Sequence, residues 1–452
     1  MNRFWTRYFV YLVFYCLVGY ANAVDLEDTY QSSISYNADY LTAIAKNQAG
    51  QEYQVQGRSQ LLPQITGTAG VAENYINTSG LAIYYHQPTA AANLSQVVFD
   101  FSKFSNFTKS KYATQLADLQ LINAKQQLIV NVAQAYFDVL YANDVVNAIR
   151  LTKNALEKQM AQAKKSFDVG TVTIADVNDA KSGYDTASAQ EIGAINDLIN
   201  KKNIFRNLTG LNPDLIQPVI DNMALAYPIP NSVEEWANMA KMNNLNIKIA
   251  NEQLSMAYED INIAKSGHLP TLNLMGGYNY QGPTGIDATS ADQQVVNQSA
   301  NTPGSLLSSY TAAQVGLNLN IPIYSGGGVS SQVRQAIGNY EAAKNQLLSI
   351  ERQTDQNIRN AFWQVQNGVS LVNAQTQALK SAKVKLDSDR LGYQVGIRNS
   401  VDLVNSEKNY ATVIQNYNYA RYQYLMYRLQ LKYLAGDIDN NFLKIITVPK
   451  TS

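Results

Sequence analysis

From Lys103 to Lys165 the chain contains neither proline nor glycine, and apolar side chains fall three, four or seven residues apart at Leu128, Val132, Tyr136, Val139, Val146 and Ile149. That is the period of one long helix with a single greasy stripe. At 1.5 Å per residue it predicts a rod of about 90 Å. No compact domain of this size holds such a rod in its core. It has to lie against other rods, as a coiled coil or a bundle. A second proline-free stretch, Val329 to Leu391, carries the same pattern. Both stretches run into a glycine-containing break, Gly170 and Gly396, and a returning helix is expected after each, near 175–208 and 400–435.

The two rods belong to a repeat. FDVGTVTIADVNDAKSGYDTA from Phe167 aligns with YQVGIRNSVDLVNSEKNYATV from Tyr393, 226 positions on, and the same offset pairs AYFDVL (135–140) with AFWQVQ (361–366). Upstream the offset falls to 207, pairing LLPQ (61–64) with HLPT (268–271), so the second copy carries extra residues, which lie in the polar stretch 283–310. The expected organisation is a first copy over 24–210, a linker over 211–230, a second copy over 231–436 and a short tail over 437–452. Each copy reads as a helix (25–58 and 232–266), a Leu-Pro break, an alternating strand, a polar loop, a second strand and then the rod. The loops are expected at 74–93 and 281–310.

The strands show period two. Val315, Leu317, Leu319, Ile321 and Ile323 alternate with Gly316, Asn318, Asn320 and Pro322. Leu272, Leu274, Tyr278 and Tyr280 alternate with Asn273, Gly277 and Asn279, and Ile65, Ala69 and Val71 with Thr66, Thr68 and Ala72. One apolar and one polar face suit either a soluble sheet or an outer-membrane barrel with lipid outside and water inside. Such a barrel needs at least about eight strands. Four per chain would have to be shared, and the residues leave two chains and three equally open.

The first 23 residues bear Arg3 and Arg7, the apolar run 9–19 and Ala21-Asn22-Ala23, the pattern of a secretory signal peptide cut before Val24. Beyond it no stretch approaches 18 consecutive apolar residues, so no transmembrane helix is expected. Lys+Arg and Asp+Glu both number 35, a balance that argues against nucleic acid as a partner. One cysteine, Cys16, and two histidines, His86 and His268, argue against disulfides, thiolate metal sites and His-based catalysis. No phosphate-binding loop or cofactor signature is present, so neither an enzyme nor a cofactor is expected.

Six segments taken together resemble the TolC family of trimeric outer-membrane export channels of Gram-negative bacteria: LLPQITG (61–67), AYFDVLYANDVV (135–146), FDVGTVTIADVNDA (167–180), HLPTLNL (268–274), LNLNIPIYSGGGVSSQVRQA (317–336) and GYQVGIRNSVDLV (392–404). The resemblance implies an α+β membrane protein. Three chains would build a twelve-stranded barrel, four strands from each, continuous with an α-helical tunnel through the periplasm. An equatorial region would comprise about 209–232 and the segment after Gly436. The implied function is multidrug efflux and type I protein secretion. The implied partners are outer-membrane lipid, a periplasmic adaptor and an inner-membrane efflux pump or ABC transporter. The rival reading is an exported adhesive coiled-coil surface protein with no transport role.

The same resemblance assigns a periplasmic gate. Arg398 would pair with Asp176, the Tyr393 hydroxyl would bond beside them, and Gln159 matches a further position of the constriction. Asp402 would repeat around a three-fold axis as an acidic ring. At about 6 Å its carboxylates would repel by about 0.7 kcal/mol per pair at ε ≈ 80 and about 2.8 at ε ≈ 20. Asn405 stands where the family carries a second acidic ring, and Ala175 where a threonine often joins the lock. Val169-Gly170-Thr171 and Val395-Gly396-Ile397 resemble the tips that dock the adaptor. Read without the family, Asp176 and Asp402 are helix N-terminal acids, Arg398 a solvated base and the tips plain turns.

Overall fold

The computed structural model describes residues 24–78, 81–218, 225–288, 298 and 308–438. The expected signal peptide, most of the loop at 281–310 and most of the tail at 437–452 lie outside the described residues.

Two very long helices set the dimensions. α3 (Phe101–Asp168) has 68 residues and α7 (Gly328–Gln394) has 67, each about 100 Å at the standard rise. Asp100 starts α3 by accepting from the amides of Ser102 at 2.9 Å and Lys103 at 3.4 Å. α4 (Ile174–Thr209) and α8 (Ser400–Ala435) return alongside α3 and α7. All four of these helices end on a glycine in the left-handed region: Gly170 (φ 76°), Gly210 (φ 72°), Gly396 (φ 79°) and Gly436 (φ 72°). Only glycine adopts that conformation without strain, which is why four turns in two copies fall at matching positions.

At the other end of the rods lies an antiparallel sheet. β1 (Gln64–Thr78), β2 (Leu81–Phe99), β3 (Thr271–Gln281) and β5 (Tyr310–Asn320) neighbour one another in that order, and the short β4 (Thr284–Ala288) pairs with the outer part of β2. β1 and β5 form the open edges of this sheet. Their N–H and C=O rows are left to pair with something outside the chain. The register places Ile65, Leu94, Gly276 and Val315 in one row and Thr66, Asn93, Gly277 and Gln314 in the next. One face is therefore apolar and the other is polar or small.

Two expectations need correction. The opening helix of each copy is broken in two: α1 (Leu26–Tyr36) and α2 (Ala38–Ser59) meet at Asn37, and α5 (Val233–Asn243) and α6 (Leu245–Ser266) at Asn244. In both breaks the asparagine turns its backbone out of the helix and its side chain caps the next one, Asn37 accepting from Tyr40 N at 2.9 Å and Asn244 from Asn246 N at 2.9 Å. The stretch 74–93 is mostly strand rather than loop. A Tyr75–Tyr84 ring pair at 4.6 Å and a hydrogen bond donated by Asn74 Nδ2 to Gln87 Oε1 at 3.0 Å extend the ladder beyond the apolar band. The four expected strands are all present in the ladder β1-β2-β3-β5; a short addition, β4, follows where the chain breaks at Gly282-Pro283. Pro88, which has no N–H, sits at this seam, where its carbonyl accepts from Gly282 N at 3.2 Å.

The main core lies where α1, α3, α4, α5, α7 and α8 converge, around Tyr136, Phe137, Phe205, Trp236, Phe362 and Tyr424. Two buried tyrosines tie the linker to it. Tyr136 Oη donates to Gln217 O at 2.7 Å, and Tyr424 Oη donates to Ala226 O at 2.8 Å while accepting from Ala226 N at 2.8 Å. Burial pushes the Tyr136 phenol far above its usual range, so it remains a donor. A small second cluster of Leu156, Ala187 and Val404 packs α3, α4 and α8 towards the far end.

Candidate functional site

The site sits at the turns α3–α4 and α7–α8, the end opposite the sheet. Both turns are built alike. Gly170 N donates to Phe167 O at 2.9 Å and Thr171 N to Ser166 O at 2.9 Å, while Gly396 N donates to Tyr393 O at 3.2 Å and Ile397 N to Gly392 O at 2.8 Å. Val169, Val395 and Ile397 are exposed, Ile397 to 81%. Gly170 and Gly396 have nothing near the place a Cβ would occupy. The two tips thus present bare glycine backbone flanked by exposed apolar side chains.

The helix starts after these turns carry different capping residues, and the difference changes the chemistry. Thr173 and Asn399 occupy equivalent positions of the repeat. Thr173 forms a full capping box: Asp176 Oδ2 accepts from Thr173 N at 2.9 Å and from Thr173 Oγ1 at 2.8 Å, and Asp176 N donates to Thr173 Oγ1 at 3.3 Å. These bonds hold the Asp176 carboxyl below its usual range. Asn399 also caps, accepting from Asp402 N at 2.8 Å, but the Asp402 carboxylate points instead towards Arg398, whose Nη1 is 3.7 Å away. Asp176 is committed to its own turn, and Asp402 is the freer acid.

Within a single chain Arg398 faces acids other than Asp176. Among the described residues its ion pairs are with Asp402 and with Asp389, whose Oδ1 lies 3.6 Å from Arg398 Nε. The pair with Asp176 is not made within one chain. The reason is local: Asp402 lies four residues past Arg398, in the first turn of α8, and Asp389 faces it from the last turns of α7. Tyr393 is half-buried on the same face. Its phenol is raised by burial and, secondarily, by the negative charge of Asp176, so the two share one neighbourhood. Gln159 is buried and its Nε2 donates to Ser400 O at 2.9 Å and Ser400 Oγ at 2.7 Å, tying α3 to the start of α8. Asn405 is exposed.

Sequence reasoning missed the acid that organises this end. Asp389 is only 4% exposed, and it accepts from Lys385 Nζ and Ser406 Oγ besides facing Arg398. Next to it the buried Glu407 takes Arg390, with Nη2 at 2.7 Å. Charged residues in a polar helix read as solvated, so nothing in the pattern marked Asp389 as interior. The capping box was legible as Thr-x-x-Asp. Among the described residues no group of three or more His, Cys, Asp or Glu is placed to hold a metal ion, and no helix is long and apolar enough to cross a membrane.

Thr173→Ala is expected to weaken the first turn of α4 by about 0.5–2 kcal/mol, with faster amide hydrogen exchange over 174–177 and no change in the first turn of α8. The depressed Asp176 pKa gives this cap a defined pH range. Its contribution is present above the carboxyl's unfolded value of 3.8 and is lost as pH falls through the lower folded value. Exchange over 174–177 should therefore show the cap intact at pH 7 and loosened only below about pH 4.

A family model described as "Outer membrane efflux protein" matches residues 29–211 and again 236–437. The chain is 33% identical over 428 residues to the outer membrane protein TolC of Escherichia coli, a match covering 94% of this chain and 84% of that protein. It is 23% identical over 436 residues to the alkaline protease secretion protein AprF of Pseudomonas aeruginosa, covering 94% of this chain and 87% of the other. Among solved structures, the CmeC outer membrane channel of Campylobacter jejuni superposes with a TM-score of 0.78 at 17% identity, covering 92% of this chain and 87% of that one. These relatives are channel and secretion proteins rather than enzymes. The rival reading as an adhesive coiled-coil surface protein finds no support among them.

Proposed function

We propose, from the premise that this chain belongs to the outer membrane efflux protein family, that it is the passive outer-membrane conduit of a trans-envelope export system, serving multidrug efflux and type I protein secretion. It is located in the outer membrane and extends into the periplasm. The observation that carries the reading is the sheet. It has an apolar face, a polar face and two unpaired edges, and it is continuous with helices of about 100 Å. Such a sheet is stable in lipid only when its edges are closed. Three copies, β5 of each beside β1 of the next, close a twelve-stranded barrel.

A periplasmic adaptor docks at Val169-Gly170-Thr171 and Val395-Gly396-Ile397, where bare glycine lets a partner backbone approach closely. An inner-membrane efflux pump or ABC transporter supplies the energy. The gate is formed by Asp402, Arg398, Asp176, Tyr393, Gln159 and Asn405. With one carboxylate ring rather than two, block by multivalent cations is weaker than a double ring would give. Opening is a shift of α7 and α8 against α3 and α4, biased by partners that bind the open arrangement better.

The test is deletion of the gene with complementation. Loss of the chain should sensitise cells to dyes, detergents and antibiotics, and empty the culture medium of proteins secreted in one step. Unchanged drug tolerance and an unchanged secreted-protein profile would overturn the reading.

A further inference from the structure

The membrane-spanning band of the sheet, 64–72, 88–99, 271–281 and 310–320, carries no Asp, Glu, Lys, Arg or His on either face; the nearest charges are Glu73 above and Asp100 below. An uncharged lipid face is expected of any barrel. An uncharged inner face is not, because rings of fixed charge are the usual means by which a pore discriminates.

The ladder fixes which residues form that inner face. Asn273 pairs with Asn318, Thr271 with Asn320 and Gly277 with Gln314, while Asn93 pairs with Gly277 from the other side. All lie opposite the apolar row of Leu272, Leu274, Leu317 and Leu319. A side chain on Gly277 would meet the Gln314 amide at 3.4 Å and the Asn93 amide oxygen at 3.5 Å. The inner wall is thus surfaced by carboxamides that lean together over a glycine. A carboxamide both donates and accepts hydrogen bonds and carries no net charge. It hydrates cationic, anionic and neutral groups alike.

Resting on the conduit reading above, we infer that the barrel wall, through Asn93, Asn273, Asn279, Gln314, Asn318 and Asn320, is indifferent to charge and passes hydrated cargo of either sign. The barrel admits by size and hydration alone.

The test uses the full-length purified channel in a planar bilayer at 0.15 M salt, where the Debye length of about 8 Å keeps distant charges out of the measurement. A cationic amino-cyclodextrin and an anionic sulfated cyclodextrin of equal ring size are added in turn on the extracellular side. Their association rates, extrapolated to zero voltage, should agree within about twofold, against the tenfold or greater bias that a one-signed cleft produces. A wild-type bias of about tenfold or more overturns the inference. The variant Asn318→Asp, which adds one carboxylate per chain to the wall, should favour the cationic blocker by about tenfold. Unaltered rates in that variant would show that Asn318 does not line the passage, and would overturn it too. A wild-type preparation that never conducts would instead sink the conduit reading itself.

Discussion

Replacing Asp176 and Arg398 together by alanine is expected to raise the resting single-channel conductance of the reconstituted protein severalfold. Arg398 sits between two acids, with Nε 3.6 Å from Asp389 and Nη1 3.7 Å from Asp402. Each contact alone is that of a solvent-exposed base and is worth about 0–1 kcal/mol. Three-fold repetition triples the sum, and removing the cation has a second consequence. The three Asp402 carboxylates lose their neighbouring positive charge, and at about 6 Å they repel by about 0.7 to 2.8 kcal/mol per pair, depending on the local dielectric. Loss of Asp176 frees the start of α4 from its capping box. All of these changes favour separation of the helix tips. Planar-bilayer recording checks the result, and a closed-state conductance equal to that of the wild type would remove Arg398 and Asp176 from the gate.

The second large effect is structural. Tyr424→Ala is expected to cost about 3–5 kcal/mol from the emptied core volume. Its hydroxyl both donates to and accepts from the backbone of Ala226 at 2.8 Å, and the residue is fully buried. Tyr424→Phe keeps the ring and strands those two backbone groups, at a cost of about 1–3 kcal/mol. The temperature at which the oligomer dissociates in detergent should fall in the order wild type, Phe variant, Ala variant. Equal effects of Phe and Ala would mean that the hydrogen bonds to the linker, not core packing, carry the stability of this region.

The helical ends were legible because their signals are local. Gly170, Gly396, Gly210 and Gly436 stop four helices within a few residues of the expected places, through a backbone conformation that depends on the residue itself. β3 and β5 were legible for the same reason, since an apolar face seen every second residue needs no partner to be recognised. The outer parts of β1 and β2 were not. There Glu73-Asn74 and His86-Gln87 interrupt the alternation, so the stretch has the look of a loop while forming a ladder. The breaks at Asn37 and Asn244 were hidden because an asparagine inside a periodic stretch is equally compatible with a continuous helix.

Among the proposed gate residues, the sequence marked Asp176, Asp402, Arg398, Tyr393, Gln159 and Asn405 through their resemblance to a family pattern. It marked neither Asp389 nor the partner that Arg398 takes. By itself the sequence determined the rods, their turns, the duplication and the amphipathic strands, because each follows from periodicity or from one residue's backbone preference. Only the tertiary structure decided which charges are interior and whom they face. Burial and pairing depend on which helix lies alongside, and the spacing of residues along one helix does not carry that information.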